Sequence, residues 1–171
     1  MESDVLVAYA SKYGSTATIA EKIGEVLNQA GVRATVTTVD QVKDMSGYRA
    51  VVLGSGVYAG QWLKEAVSFL KSQESELANR LVWIFSSGPT GQGDPVELVK
   101  GWRFPEGQQA IADRIGPCDL VVFHGSIDLD KLNFAEKLII KGVKAPTGDF
   151  RDWDAIAAWA EAIAATLKSQ A

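Results

Sequence analysis

The sequence predicts a three-layer α/β domain built on a doubly wound parallel sheet of five strands, and three observations predict it. Short apolar runs rich in β-branched residues alternate with longer segments whose apolar residues recur every three to four positions. The short runs are near-continuously hydrophobic, so both of their faces must be covered, as in a parallel sheet between two helical layers. No repeat, low-complexity segment or linker divides the 171 residues, so residues 1–171 read as one domain.

The first strand is Asp4–Ala10, DVLVAYA. Ile19, Ile23, Leu27 and Ala30 then repeat at helical spacing, and Gly31 is a stop signal. Strands two and three are Val32–Val39 and Ala50–Gly54, followed by a helix over Trp62–Leu70. Strand four is Leu81–Ser86, a helix covers Glu106–Ile115, and strand five is Asp119–His124. The last helix is the best marked. Asp152 stands as N-cap, Asp154 lies in the first turn, and Trp153, Ile156, Ala160, Ile163 and Leu167 form one stripe.

Composition narrows the function. Hydrophobic residues make up 47% and charged residues 22%, an ordinary globular balance, and the net charge of −4 argues against a nucleic-acid partner. One cysteine, Cys118, gives no internal disulfide framework, and with one histidine, His124, there is little for a nitrogen- or sulfur-ligated metal site. No apolar run approaches the roughly 20 residues of a membrane span, and the opening MESD lacks a basic signal start, so a cytoplasmic location is expected. Cys118, opening strand five behind Pro117, reads as a small buried residue, and His124 as a hydrogen-bonded structural one.

Ligands in doubly wound sheets bind at the carboxyl ends of strands, which directs attention to three loops. After strand one comes Ser11-Lys12-Tyr13-Gly14-Ser15-Thr16. Hydroxyls, a glycine free to take positive φ and a helix N-terminus can cradle a phosphate; the same residues can be a capped turn with Ser15 or Thr16 as cap. After strand three comes Gly54-Ser55-Gly56-Val57-Tyr58-Ala59-Gly60-Gln61-Trp62, with glycines that let a planar ligand approach and Tyr58 and Trp62 to stack on it. After strand four comes Ser86-Ser87-Gly88-Pro89-Thr90-Gly91-Gln92-Gly93-Asp94, able to present backbone donors and acceptors to a heterocycle, or simply a flexible surface loop.

Other chemistries fit less well. The second loop can be read as a dinucleotide fingerprint, but the next strand ends Phe85-Ser86-Ser87 without the carboxylate that would hold a ribose. A receiver domain would want carboxylates where Ser11-Lys12 and Gly54-Ser55 stand. The P-loop motif and the G-x-S-x-G nucleophile elbow are absent.

The first loop resembles the flavodoxin phosphate loop, [ST]-x-T-G-x-T, with Tyr13 in a threonine's place, and the other two fall where flavodoxins hold the flavin ring. This resemblance covers about residues 4–167 and implies strand order 2-1-3-4-5. It also implies FMN as cofactor and an electron-transfer role in the cytoplasm with a redox partner protein. Its implied contacts are Ser11, Lys12, Tyr13, Gly14, Ser15 and Thr16 at the phosphate; Ser55, Gly56, Val57, Tyr58 and Trp62 at the ring; and Ser87, Gly88, Pro89, Thr90, Gly91 and Asp94 at its edge. No side chain is expected to act as a catalytic acid or base.

Between strand five and the last helix an insert spans Ile127–Arg151. With the following DWDAIAAWAEAIA it resembles the menaquinone-dependent protoporphyrinogen IX dehydrogenase branch, which implies a quinone partner and a membrane-surface enzyme as an alternative function. A flavin-free α/β binding module is a second alternative. Read physically, Phe134, Ala135, Leu138, Ile139 and Val143 form one apolar face and Lys137, Lys141 and Lys144 line the other side. The expected arrangement packs the apolar face onto the domain; contact of 132–144 with an anionic bilayer is the other.

Overall fold

A computed structural model describes residues 4–170. Its central sheet runs β2 (Ala34–Thr38), β1 (Val5–Ala10), β3 (Ala50–Tyr58), β5 (Leu81–Ser87), β6 (Asp119–Phe123), all parallel, with the two-residue β4 (Gln61–Trp62) antiparallel on β3. In the five-strand numbering of the sequence this is the expected order 2-1-3-4-5.

Period-two alternation assigns each strand residue to a helical layer. Val5, Val7, Val52 and Phe85 face α1 (Ser15–Gln29) and α7 (Trp153–Ser169) through Ile19, Ile23, Leu27, Ile156, Ile163 and Leu167. Leu6, Ala8, Leu53 and Ile84 face the other layer, where α2 (Lys64–Ser72), α3 (Glu74–Ala78) and α5 (Gln109–Ile115) contribute Phe69, Leu70, Leu77 and Ile115. Truncating a fully buried leucine such as Leu53 would cost about 2–5 kcal/mol. Asp152 caps α7 by accepting from Ala155 N–H at 3.0 Å. The α7 stripe begins at Ile156, because Trp153 stacks on the Arg151 guanidinium instead, 4.8 Å away.

Several expectations are corrected. Strand three does not stop at Gly54 but continues to Tyr58, because Gly54, Ser55 and Gly56 still pair with Phe85, Ser86 and Ser87. Gly54 is glycine for packing: a Cβ there would overlap the Phe85 ring. Trp62 lies in β4, not in a helix, because Ala59 and Gly60 both take positive φ (51° and 74°) and turn the chain back as a two-residue hairpin. Two short helices, α3 and α4 (Pro95–Leu98), were not anticipated. Cys118 is exposed, since it precedes β6 at the amino edge of the sheet.

The insert forms a ladder of β7 (Ser126–Ile127) with β8 (Gly148–Asp149), enclosing α6 (Phe134–Val143). No residue of α6 is buried, and Phe134, Leu138, Ile139 and Val143 face solvent, so the expected packing of its apolar face onto the domain is not what the fold does. The helix is held by its polar side instead.

Candidate functional site

Strand register sets the site. Ala10 pairs with Ser55, Ser55 and Gly56 with Ser86 and Ser87, and Ser87 with Phe123. The loops leaving β1 and β5 and the end of β3 therefore meet along one edge.

In the first loop Gly14 has φ +94°, a left-handed value that favours glycine, and serves as the N-cap of α1. Ser11 Oγ accepts from Gly14 N–H at 3.0 Å and closes the turn. Ser15 and Thr16 are therefore the first helical residues and not the cap. No side chain caps α1 and no acidic residue stands in its first turn, so its positive end keeps its demand for an anion. Thr16 is buried against the end of β3. Tyr13 gives nothing to this cradle: its hydroxyl donates to Glu136 and its ring meets Tyr58 edge-on, centroids 6.3 Å apart.

Glu136 is a site residue that sequence reasoning missed. One carboxylate oxygen accepts from Asn133 N–H at 3.1 Å, completing the capping box of α6; the other takes Lys12 Nζ at 2.9 Å and the Tyr13 hydroxyl. The Lys12 ammonium, then the Tyr13 hydroxyl, hold the Glu136 carboxyl down to about 2, while Glu136 raises both partners. Lys12 also sits 5.2 and 5.7 Å from the Tyr13 and Tyr58 ring centres. Two further ties come from the insert. Lys131 Nζ donates to Tyr13 C=O at 3.3 Å, and Arg151, paired with Asp149, donates to Ser15 C=O at 3.1 Å and to the Thr18 hydroxyl. All lie more than 100 residues from the loop, and only the capping-box spacing of Asn133 and Glu136 was visible locally.

At the end of β3, Ser55 is internal: its hydroxyl donates to Gly56 C=O at 2.8 Å and accepts from Leu63 N–H at 3.1 Å. Gly56 makes a cradle. A Cβ there would lie 3.1 Å from Thr16 Oγ1 and 3.2 Å from the Tyr58 ring, filling the space between them. Alternation past Val57 leaves Tyr58 39% exposed, and burial, then the nearby Tyr13, raises its phenol. Trp62 is not presented to the edge as expected. It pairs with Val57, is only 4% exposed, meets Phe104 at 5.0 Å, and its indole N–H donates to buried Ser86 Oγ at 2.8 Å.

In the third loop Ser87 is buried and its hydroxyl has no partner, an orphan at the edge where a polar ligand would satisfy it. Gly88 N–H and Pro89 C=O extend the ladder to Phe123 C=O and Gly125 N–H (3.3 and 2.8 Å), so these two groups are committed to the protein. Gly91 (φ +108°) packs against Pro146 of the insert, with Thr90 half-buried before it. Asp94 caps α4, accepting from Val96 and Glu97 N–H, and is occupied structurally. His124 clamps this loop: its Nε2–H donates to Gly93 C=O at 2.7 Å. Trp102 stands beside the hairpin, its indole nitrogen 3.8 Å from where a Gly60 Cβ would be.

The structure thus joins Ser11, Gly14, Ser15, Thr16, Gly56, Tyr58 and Ser87 along one edge, with Lys12 and Tyr13 as a wall. Trp62, Ser55 and Asp94 serve the scaffold. The uncapped helix start, the Gly56 cradle and the orphan hydroxyl together fit a ligand with a phosphate at one end and a planar heterocycle at the other.

Solved structures share this fold. A cysteine-to-serine mutant of the flavodoxin from Pseudomonas aeruginosa is 15% identical, with a TM-score of 0.58 over 96% of this chain and 98% of that one. The two-electron reduced flavodoxin of Megasphaera elsdenii is 17% identical (TM-score 0.54; 70% and 84% covered). Rubredoxin oxygen:oxidoreductase from Desulfovibrio gigas is 15% identical with a TM-score of 0.60; the match covers 96% of this chain but only 36% of that protein's length. No curated protein matches the sequence at a significant level. The flavodoxin-domain family model matches residues 6–154, which include all three loops of the edge, and the chain therefore belongs to the flavodoxin family.

Proposed function

We propose that the chain binds FMN at the carboxyl edge of its sheet and works as an electron carrier for a redox partner protein. Family membership supports a flavin-binding redox protein. The observation that carries the assignment to this edge is that an uncapped helix start, the Gly56 cradle and the unpartnered Ser87 hydroxyl share one line of the sheet. The flavin would supply the electron chemistry, and the protein its binding and electrostatics. Backbone N–H groups of Ser15 and Thr16, with hydroxyls of Ser11 and Thr16, would hold the phosphate. Tyr58 would cover one ring face, and Ser87 Oγ would meet the polar edge of the heterocycle. Titrating FMN into the purified protein tests this: its fluorescence should be quenched at one equivalent, and an unchanged signal would leave the flavin-free binding module as the reading.

A second reading is a quinone-dependent protoporphyrinogen IX dehydrogenase at the membrane surface. The outward apolar side of α6 favours it over a carrier with no membrane contact. Menaquinone-dependent oxidation of protoporphyrinogen IX by the flavin-loaded protein would support it, and no turnover would leave the carrier. No helix among the described residues is long and apolar enough to cross a membrane.

A further inference from the structure

Two cations of the insert grip the first loop, and both grip it by carbonyl oxygens. Lys131 Nζ donates to Tyr13 C=O at 3.3 Å, and Arg151 donates to Ser15 C=O at 3.1 Å. Arg151 is itself locked in place. Two of its nitrogens clasp Asp149 at 2.8 and 2.7 Å, Trp153 covers its face, and the arm on Ser15 also reaches the Thr18 hydroxyl. Its side chain is only 15% exposed. The backbone around it hangs on the central sheet, because Asp149 pairs with Ser126 and Phe150 N–H donates to Gly125 C=O at 3.1 Å, just past β6.

In a trans peptide the C=O and the N–H point in opposite directions. Ser15 C=O shares its peptide with Thr16 N–H, and Tyr13 C=O shares its peptide with Gly14 N–H. Holding the two carbonyls therefore aims the two N–H groups the other way. Thr16 N–H lies in the uncapped first turn of α1, and Gly14 N–H donates to Ser11 Oγ at 3.0 Å, which leaves the Ser11 proton free to donate to a ligand. A cation on a carbonyl also polarises its peptide and makes the N–H a stronger donor. Among the described residues, neither cation hydrogen-bonds to β3 or β5, where Gly56, Tyr58 and Ser87 stand.

We infer that Lys131 and Arg151 are positioning residues that set the site's preference for a phosphate monoester. The insert, and not the loop alone, then decides how strongly the phosphate of the ligand is held. The inference rests on the FMN reading above and adds a specificity device that the loop itself does not contain.

The test compares FMN with riboflavin, which has the same ring and no phosphate, by fluorescence titration of the full chain. Wild type should prefer FMN. Lys131→Met should lower FMN affinity by about tenfold and leave riboflavin affinity as in wild type. Arg151→Met combined with Asp149→Asn, which leaves no carboxylate unpaired, should do the same. So should Arg151→Lys, since an ammonium keeps the charge but cannot span Asp149, Ser15 and Thr18 together. Unchanged riboflavin binding also verifies that each variant is folded. Equal weakening of both ligands would overturn the inference by making the cations merely structural. Full FMN preference in Arg151→Lys would overturn it by making charge alone sufficient. A wild-type chain that ignores both flavins would refute the FMN reading and this inference together, whereas variants that keep a wild-type preference for FMN would refute the inference alone.

Discussion

Glu136, in the insert, accepts a 2.9 Å hydrogen bond from Lys12, in the loop after the first strand, and through it an addition to the fold takes hold of the edge proposed to bind FMN. Glutamine at 136 can still complete the capping box but cannot pair with an ammonium ion. Glu136→Gln should therefore loosen Lys12 and Tyr13 and weaken FMN several-fold. Its melting temperature should move little, because a partly exposed ion pair contributes little to global stability. Fluorescence titration beside a thermal melt checks both halves.

The same carboxyl gives a pH signature. Its folded value of about 2 lies below the ordinary 4.5, so Lys12 and Tyr13 favour the ionised form. The stabilisation is then complete above about pH 4.5 and is lost as pH falls from there toward 2. The small melting difference between wild type and Glu136→Gln should stay constant from neutral pH to about 4.5 and shrink progressively from there toward about 2. A difference that grew on acidification would refute the assignment.

Gly56→Ala places a methyl group 3.1 Å from Thr16 Oγ1 and 3.2 Å from the Tyr58 ring. The protein should fold, since backbone φ at 56 is not left-handed, and FMN affinity should fall by about tenfold, the equivalent of one displaced contact worth about 1.4 kcal/mol. Equal affinity in the variant would mean that the ligand does not use this cradle.

Much of the fold was legible because its signals are local. Five apolar runs, the helical stripe of α7 and the Asp152 cap all appear within a few residues, and the structure realises them. The end of β3 was not legible in the same way. Gly54, Ser55 and Gly56 look like loop residues, and only their pairing with Phe85, Ser86 and Ser87 keeps them in the sheet. The burial of Trp62 followed from a two-residue turn at Ala59-Gly60 that carries no Asn-Gly signal. Glu136, Lys131 and Arg151 were invisible as site residues because they reach the first loop from more than 100 positions away. The amphipathicity of α6 was legible but its direction was not, since Glu136 and not the apolar face anchors it.

Trp62→Phe separates scaffold from site. It removes the indole donor and leaves buried Ser86 Oγ without it, at a cost of about 1–3 kcal/mol. Denaturant unfolding should show that loss, and the absorbance of bound FMN should be unchanged, because the indole packs on Phe104 and not on the ligand edge.

Ala59 adopts φ +51°, a conformation disfavoured for any residue with a Cβ. Ala59→Gly should relieve it and stabilise the protein by about 0.5–1 kcal/mol after the added chain entropy of glycine, raising the melting temperature by a few degrees.

Whether one edge of this sheet holds FMN is decided most directly by the visible spectrum of the protein titrated with FMN. A saturable shift of the flavin bands at one equivalent is expected, weakened by Gly56→Ala and insensitive to Trp62→Phe. A protein that leaves the FMN spectrum and fluorescence untouched at every ratio would contradict the assignment.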